Sequence, residues 1–488
     1  MKGSFFGGNS RVELWRTPGF VGFAAHWTWI LCVFWSSLYY DEGSVIVPGL
    51  ADYLPLEPLW FISLLANVLT LGCLLMLSHY CNPFSSVRFL PWLGAGLTAG
   101  GTLLTSHLTS LLSGDIAVML YLLGSVLTGV GSAVIVVLWG ELLTSLGSRQ
   151  AVSYCVCAFI IAAGMFMITL AIAPDIRQLV IAMLPMVSVG LFVRFKHAVP
   201  HLSRLRRNVH VKVKPPGKLI AISLFFGFSF GIMKGLFIPI DATLVDLRNL
   251  LNIAAIVGAS LAVFLTTNVY KMDFDHMTYQ VALPLMAAGF LFIPLYEPWN
   301  IIGTGVHQFG YQYFYIILWA LWPVLAFRAN VVSGWIVAWG LFSVQLGQFS
   351  GSVVSAYLVE LLIGGFALAL LAAGAIFLIL LIALFALGKG SPNTGWGYVK
   401  PIEEDGMTSD FERVCSRIAR QYRLSPREIE VFFLLAKGRN RAHIKDELFV
   451  SDETVKSHVK NIYRKIDLHS QQALIDMIEE ENSPSFPK

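Results

Sequence analysis

The sequence predicts an all-α chain: a polytopic twelve-helix membrane bundle, arranged six and six, followed by a small four-helix domain. Three observations predict it. The chain has two compositions. Its apolar part divides into stretches of membrane-crossing length, with basic residues on alternate loops. Its polar tail is written as short, capped, amphipathic helices.

The chain of 488 residues is 56% hydrophobic and 13% charged, with a mean hydropathy of +0.68. A soluble globular protein carries about 25% charged residues. Charge is concentrated at one end, because residues 400–488 hold 15 of the 34 Lys+Arg and 16 of the 30 Asp+Glu. Residues 1–388 are almost continuous apolar sequence, which sets the first domain boundary. The opening "MKGSFFGGNSRVELWRTPGF" is basic, but the apolar stretch after it runs past Trp35. That exceeds the ~7–15 residues of a signal core, so we expect a span and no cleavable signal.

A helix needs about 20 apolar residues to cross a bilayer core of about 30 Å. Twelve such stretches occur, at roughly 19–40, 58–80, 89–112, 116–139, 151–173, 178–194, 219–239, 249–268, 278–295, 311–327, 331–356 and 361–388. With the N-terminus inside, the inner segments hold 16 Lys/Arg and the outer ones two, Arg177 and Arg248. Basic residues mark the cytoplasmic side. An even span count then places both termini in the cytoplasm of a multi-pass inner-membrane protein. Span six is separated from span seven by a basic loop, residues 195–218. With the adjoining Arg194 it carries eight Lys/Arg, three His and no acid. This reads as a topology anchor on anionic headgroups; a second nucleic-acid patch is the alternative.

The six cysteines, Cys32, Cys73, Cys81, Cys155, Cys157 and Cys415, include no CxxC pair and no metal-type spacing with His. We expect small apolar side chains, with no zinc site, no disulfide framework and no cofactor. There is also no Gly-x-Ser-x-Gly, phosphate loop or kinase-like motif, so no enzyme activity is expected.

Two six-span halves (about 1–194 and 219–388) around a basic loop resemble the major facilitator superfamily. The resemblance rests on span count and loop layout. That family's signature after span two is Gly-x-x-x-Asp-Arg-x-Gly-Arg-like. Here the loop reads "HYCNPFSSVRFLPW", which keeps Arg88 and lacks the Asp and the glycines. This argues against a working transport cycle, as does the absence of a series of intramembrane Asp/Glu.

Charged residues at membrane depth are functional candidates. The clearest is Lys234, in "SFGIMKGLFIPI". It can snorkel outward toward Asp241, or face a cavity as the counter-ion of an anionic ligand. The cluster "HWTWILCVFW" places His26 and Trp27 as candidate ligand contacts, against the alternative of plain helix packing. Asn67, Asn252, Gln345, Gln348 and His107 are weaker candidates; such side chains usually bond to neighbouring helices or backbone.

Residues 389–410, "KGSPNTGWGYVKPIEEDGMTSD", form a predicted flexible linker. As a loose coil it spans roughly 25 Å, which keeps the tail near the bilayer. Residues 411–422 then read as a connecting helix with Phe411, Cys415, Ile418, Ala419 and Tyr422 on one face and Asp410 as its cap. That face is expected to pack on the domain that follows, residues 423–481.

In "LSPREIEVFFLLAKG", Ser425 is an N-cap, Pro426 stands at the first helical position and Glu428 completes a capping box. Ile429, Phe432, Phe433 and Ala436 point inward and Gly438 ends the helix. "RNRAHIKDELFV" gives a second short helix with Ile444 and Leu448 inward. Ser451 caps a third, "DETVKSHVKNIYRKI", whose buried stripe is Val455, Val459, Ile462 and Ile466. Lys456, Lys460 and Arg464 share another face, beside Ser457 and Asn461. This is helix-turn-helix patterning, in which the second helix enters a major groove. A last helix, about 470–481, is capped by Ser470 and carries Ala473, Leu474, Met477 and Ile478.

The Leu-Ser-Pro-Arg-Glu-x-Glu-Val opening and the Val-Ser-x-x-Thr-Val-Lys-x-His-Val run resemble the LuxR/FixJ-type four-helix DNA-binding domain, over about residues 421–480. The resemblance implies that Lys456, Ser457 and Lys460 face bases or groove-side phosphates. It also implies that Thr454, Arg464 and Lys465 contact the DNA backbone, and that the last helix mediates a homodimer. Two positions depart from the family: Lys445 replaces a small residue, with an expected effect on packing, and Gln471 replaces an Arg, with an expected loss of an ion pair or phosphate contact. Net charge over 424–471 is only +2, so binding must rest on local placement and dimerisation. No receiver domain is read before this module, which leaves the membrane domain, a partner in trans or constitutive activity as its control. The expectation is a membrane-tethered transcription regulator whose partners are double-stranded DNA, the bilayer and a small-molecule ligand. The alternatives are a transporter with a regulatory tail and an adaptor whose tail binds protein.

Overall fold

The structure is a computed structural model. It describes residues 19–36, 38, 57–78, 80, 83–105, 114–144, 148–198, 217–236, 245–272, 274–295, 299–328, 333–361, 373–375, 410–422, 424–436, 438–448 and 451–482. Among these residues there is no strand. The chain separates into two compact units, Met1–Ile402 and Glu403–Lys488; the change falls inside the expected linker, most of which lies outside the described residues.

The first unit is a helical bundle. Its first half comprises α1 (Gly19–Ile30, continued by a π-helical turn Leu31–Trp35), α2 (Pro58–Leu77), α3 (Leu90–Thr105), α4 (Asp115–Thr144), α5 (Ser148–Leu170) and α6 (Pro174–Ala198). The second half comprises α7 (Gly217–Leu236), α8 (Val245–Asn268), α9 (Leu283–Leu291, entered through Phe274–His276 and a π-helical stretch Met277–Ala282), α10 (Trp299–Arg328) and α11 (Ser333–Leu361). Each of the first eleven expected spans thus has a helix. The twelfth, 361–388, lies outside the described residues except for a helical fragment at 373–375. Among the described residues, five helices are long and apolar enough to cross a bilayer by length and composition alone, α2, α4, α5, α6 and α8. Large apolar side chains lie exposed on their outer faces, among them Leu69, Met76, Met119, Ile168 and Leu265. In water such a belt would be a liability, whereas hydrocarbon solvates it.

Contacts between the halves run through α2 with α11 and α5 with α8 and α10. Within the second half, α7 and α11 interlock through two Gly-x-x-x-Gly pairs. A Cβ on Gly227 or Gly231 would meet the carbonyl oxygens of Val344 or Gln348 at 2.0 and 2.2 Å. One on Gly347 or Gly351 would meet those of Leu224 or Phe228 at 2.0 and 2.1 Å. Small residues allow this backbone approach, the main source of association between helices in lipid.

Several boundaries differ from the sequence reading. The tenth helix begins at Trp299, well before the expected 311. The added turns contain His307 and Gln308, which are buried, so polarity here faces the bundle interior and disguises the span. Of the cysteines, Cys32, Cys155 and Cys415 are buried, as expected of small apolar side chains, but Cys73 is exposed on α2.

The second unit has its own core. Helix α12 (Asp410–Gln421) contributes Val414, Cys415, Ile418 and Ala419 to it, α13 (Pro426–Ala436) Val431, Phe432, Leu435 and Ala436, and α14 (Arg441–Leu448) Ile444. Helix α15 (Asp452–Ile466) adds Val455, Val459, Ile462 and Ile466, and α16 (Gln471–Asn482) adds Leu474 and Ile478. The connecting helix is therefore part of the domain's core, which is built from five helices. Val414 is a core residue that the sequence reading omitted, and Ile429 and Phe433 are only partly buried.

Candidate functional site

In the second unit, helix α15 is fixed at both ends. Ser451 Oγ accepts from the Thr454 amide at 3.2 Å, satisfying one of the free N–H groups of the first turn. Asp467, at φ 59° and ψ 47°, closes the other end in the left-handed conformation and sends its N–H to the Tyr463 carbonyl. The buried Val/Ile stripe turns Lys456, Ser457, Lys460 and Arg464 outward, and all four are exposed. Thr454 and Asn461 are half-buried; Asn461 accepts from Arg464 Nη2 at 3.1 Å.

Helix α13 starts with a reciprocal capping box. The Ser425 amide donates to Glu428 Oε2 at 2.7 Å, and the Glu428 amide to Ser425 Oγ at 3.4 Å. It ends at Gly438 (φ +73°), with Gly438 N bonded to the Leu435 carbonyl and Arg439 N to that of Leu434, the pairing of a Schellman motif. Lys465 Nζ lies 2.6 Å from the same Glu428 oxygen. Lys465 was expected at the DNA backbone; the structure instead engages it inside the domain. Burial raises the Glu428 carboxyl, but the hydrogen bond from Lys465, those from Ser425 and the Lys465 charge outweigh it. The group is held below the usual carboxylate range.

Lys456 Nζ makes an ion pair with Asp452 at 2.8 Å, one turn earlier on the same helix. This hydrogen bond, together with the charges of Lys456, Arg441 and Lys445, holds the Asp452 carboxyl low. Arg441 and Lys445 thus add positive charge beside the start of α15. The sequence reading passed over Arg441 and gave Lys445 only a packing effect; both are exposed. Gln471 has a structural role that its sequence position did not suggest. Its amide donates to the Leu435 carbonyl at 2.9 Å and the Arg439 carbonyl at 3.0 Å, so it caps the end of α13.

In the first unit, two cavities lie between the halves. One is a partly open space of about 690 Å³, lined by Trp35, Glu57, Lys234, Arg248, Asn252 and their neighbours. The other, about 560 Å³, is walled by Trp27, Trp60, Tyr311 and Tyr315. Both are bounded by Phe34 and Trp35. Helix α1 ends here, so its last carbonyls lack helical partners. Lys234 Nζ donates to the Phe34 carbonyl and Asn252 Nδ2 to the Trp35 carbonyl, the latter at 2.9 Å. Two side chains of the second half thereby cap a helix of the first. Lys234 also stands 3.7 Å from Glu57 and 4.6 Å above the Trp60 ring. Glu57, just before the first residue of α2, is only 7% exposed. The other suggested partner, Asp241, lies outside the described residues, as do His107 and most of the basic loop.

Trp27 lines the second cavity. His26 lines neither; it is fully buried and stacks on Trp29 at 5.6 Å between ring centroids. Asn67 donates to the Gly129 carbonyl and Gln348 to the Tyr311 hydroxyl, as expected of polar groups between helices. A further carboxylate that the sequence reading missed is Glu141. It is fully buried near the C-terminal end of α4 and accepts from the Phe84 and Ser85 amides, each at 2.9 Å.

This arrangement defines a helix-turn-helix domain attached to a polytopic membrane bundle. Residues 422–478 match the family model "Bacterial regulatory proteins, luxR family", so the chain carries a LuxR-family domain at its C-terminus. Among curated relatives, the uncharacterized response regulatory protein YgeK of Escherichia coli is 37% identical over 71 residues, covering 14% of this chain and 48% of that one. The oxygen regulatory protein NreC of Staphylococcus haemolyticus is 43% identical over 53 residues, covering 11% and 24%. The chain thus spans less than half the length of these relatives. The membrane unit resembles a bacterial homologue of the iron transporter ferroportin in its outward-facing state, with a TM-score of 0.55 and 12% identity over 78% of this chain and 100% of that one. At that identity the likeness concerns the fold alone. It supports the major-facilitator-like fold expected from the six-plus-six layout.

Proposed function

We propose that the protein is a membrane-tethered transcription regulator. The observation that carries this reading is α15: a capped helix seated by Val455, Val459, Ile462 and Ile466, presenting Lys456, Ser457, Lys460 and Arg464 outward. Such a helix enters the major groove, with basic side chains on phosphates and base edges. Both termini are cytoplasmic in this reading, and α16 pairs two copies on DNA. The membrane unit acts as sensor, and a ligand controls the tail by binding two conformations of the bundle unequally.

A transporter carrying a regulatory tail is the second reading, favoured by the fold of the membrane unit. The use of Lys234 to cap α1, and the altered loop after α2, weigh against it. A gel-shift titration of residues 403–488 with genomic DNA fragments tests the first reading. Discrete shifts lost on Lys456→Ala/Lys460→Ala support it; failure to bind DNA overturns it.

A further inference from the structure

We infer that the two adjoining cavities of the membrane bundle bind a small amphipathic anion: a carboxylate on a flat aromatic or apolar body. This deepens the sensor reading and rests on it.

Charge comes first. Among the described residues lining the first cavity, Lys234 and Arg248 stand against the carboxylate of Glu57. An ammonium has three donors. One of those on Lys234 goes to the Phe34 carbonyl, while Glu57 stays at 3.7 Å, an ion pair longer than a hydrogen bond. A ligand carboxylate can therefore take a donor without displacing a protein acceptor. Beside a side chain as little exposed as Lys234 (18%), such a charge-assisted bond is stronger than in water.

Shape and polarity come second. Lys234 sits over Trp60, which is itself a wall of the second cavity. The cation therefore stands where the two spaces meet. The second cavity offers aromatic walls for a flat body, together with buried polar atoms that have no hydrogen-bond partner among the described residues: Trp27 Nε1, Asn67 Oδ1 and Gln345 Oε1. Trp27 is 2% exposed and Asn67 6%. Unpartnered buried groups are costly, and an occupant carrying a donor and an acceptor removes that cost. A neutral sugar would leave the ammonium unused, and a cation would be repelled by it.

The test uses the full chain in lipid nanodiscs and three probes with one ring system: 2-naphthoate, 2-naphthamide and 2-naphthylmethylamine. Isothermal titration should give naphthoate about a tenfold advantage over the amide and the amine, the worth of one charge-assisted hydrogen bond. Lys234→Gln should abolish that preference and Lys234→Arg should keep it. Because Lys234→Gln leaves Glu57 without its ion pair, a variant combining Lys234→Gln, Arg248→Gln and Glu57→Gln, which removes both cations and the acid, provides a second variant with the same expected loss. Equal affinities for the three probes, no binding of any at millimolar concentration, or a preference surviving in both glutamine variants would overturn the inference. The titration contains no DNA. If naphthoate binds but leaves DNA occupancy unchanged, the inference stands and the sensor reading fails.

Discussion

Lys465 Nζ lies 2.6 Å from Glu428 Oε2, joining the last turn of α15 to the first turn of α13. The same oxygen accepts the Ser425 amide. One carboxylate therefore caps a helix and holds the reading helix against it. Glu428→Ala removes both roles. Lys465 is about a third exposed (34%), so solvent screens part of the ion pair. The expected loss is about 1–2 kcal/mol, read as a lower urea midpoint for residues 403–488 at unchanged m. An unchanged midpoint would contradict the assignment.

The same contact sets a pH dependence. The folded Glu428 carboxyl is held below its ordinary value. Its contribution is therefore fully present above the unfolded carboxyl pKa of about 4.3 and is lost as pH falls through the folded value. Urea midpoints should fall more steeply below about pH 4.3 in the wild-type unit than in Glu428→Gln. Parallel profiles would show that Glu428 is not the group responsible.

Asp452 holds Lys456 in an exposed i,i+4 pair. If Lys456 reads DNA, that carboxylate competes with phosphate. Asp452→Asn should tighten DNA binding a few-fold at low salt, with the gain shrinking as salt rises. Weaker binding would mean that Asp452 orients Lys456 productively.

In the membrane unit, Gly347→Leu places a side chain against the Leu224 carbonyl, where even a Cβ would approach to 2.0 Å. Backbone cannot yield as a side chain can, so a cost of at least about 3 kcal/mol is expected. Thermal unfolding of the full chain in detergent should register it. Gly100→Leu, with open space around the Cβ, should leave unfolding unchanged. Equal tolerance of the two variants would count against the α7–α11 packing.

What the sequence made legible was periodic and local. The Val455–Ile466 stripe and the Ser425 and Ser451 caps each depend on residues within one or two turns, and all appear as expected. The hidden features join distant positions. Nothing local ties Glu428 to Lys465, Gln471 to the end of α13, or Lys234 to Glu57 and Phe34. Helix α10 was shortened because buried polarity such as His307, bonded to Ser229 at 3.0 Å, mimics a loop in a hydropathy reading. The Gly227/Gly231 and Gly347/Gly351 pairs were a signal in plain view, a small-residue spacing that marks close helices.

The central claim is that a multi-pass membrane chain reads DNA through α15. Crosslinking the full chain to DNA in cells and sequencing the bound fragments tests it most directly, with Lys456→Ala/Lys460→Ala compared in parallel and both proteins checked in the membrane fraction. Each lost base or phosphate contact costs on the order of 1–3 kcal/mol. The account predicts discrete bound sites for the wild-type chain and their loss in the variant, at equal membrane abundance. The absence of discrete sites, or sites unchanged in the variant, would contradict it.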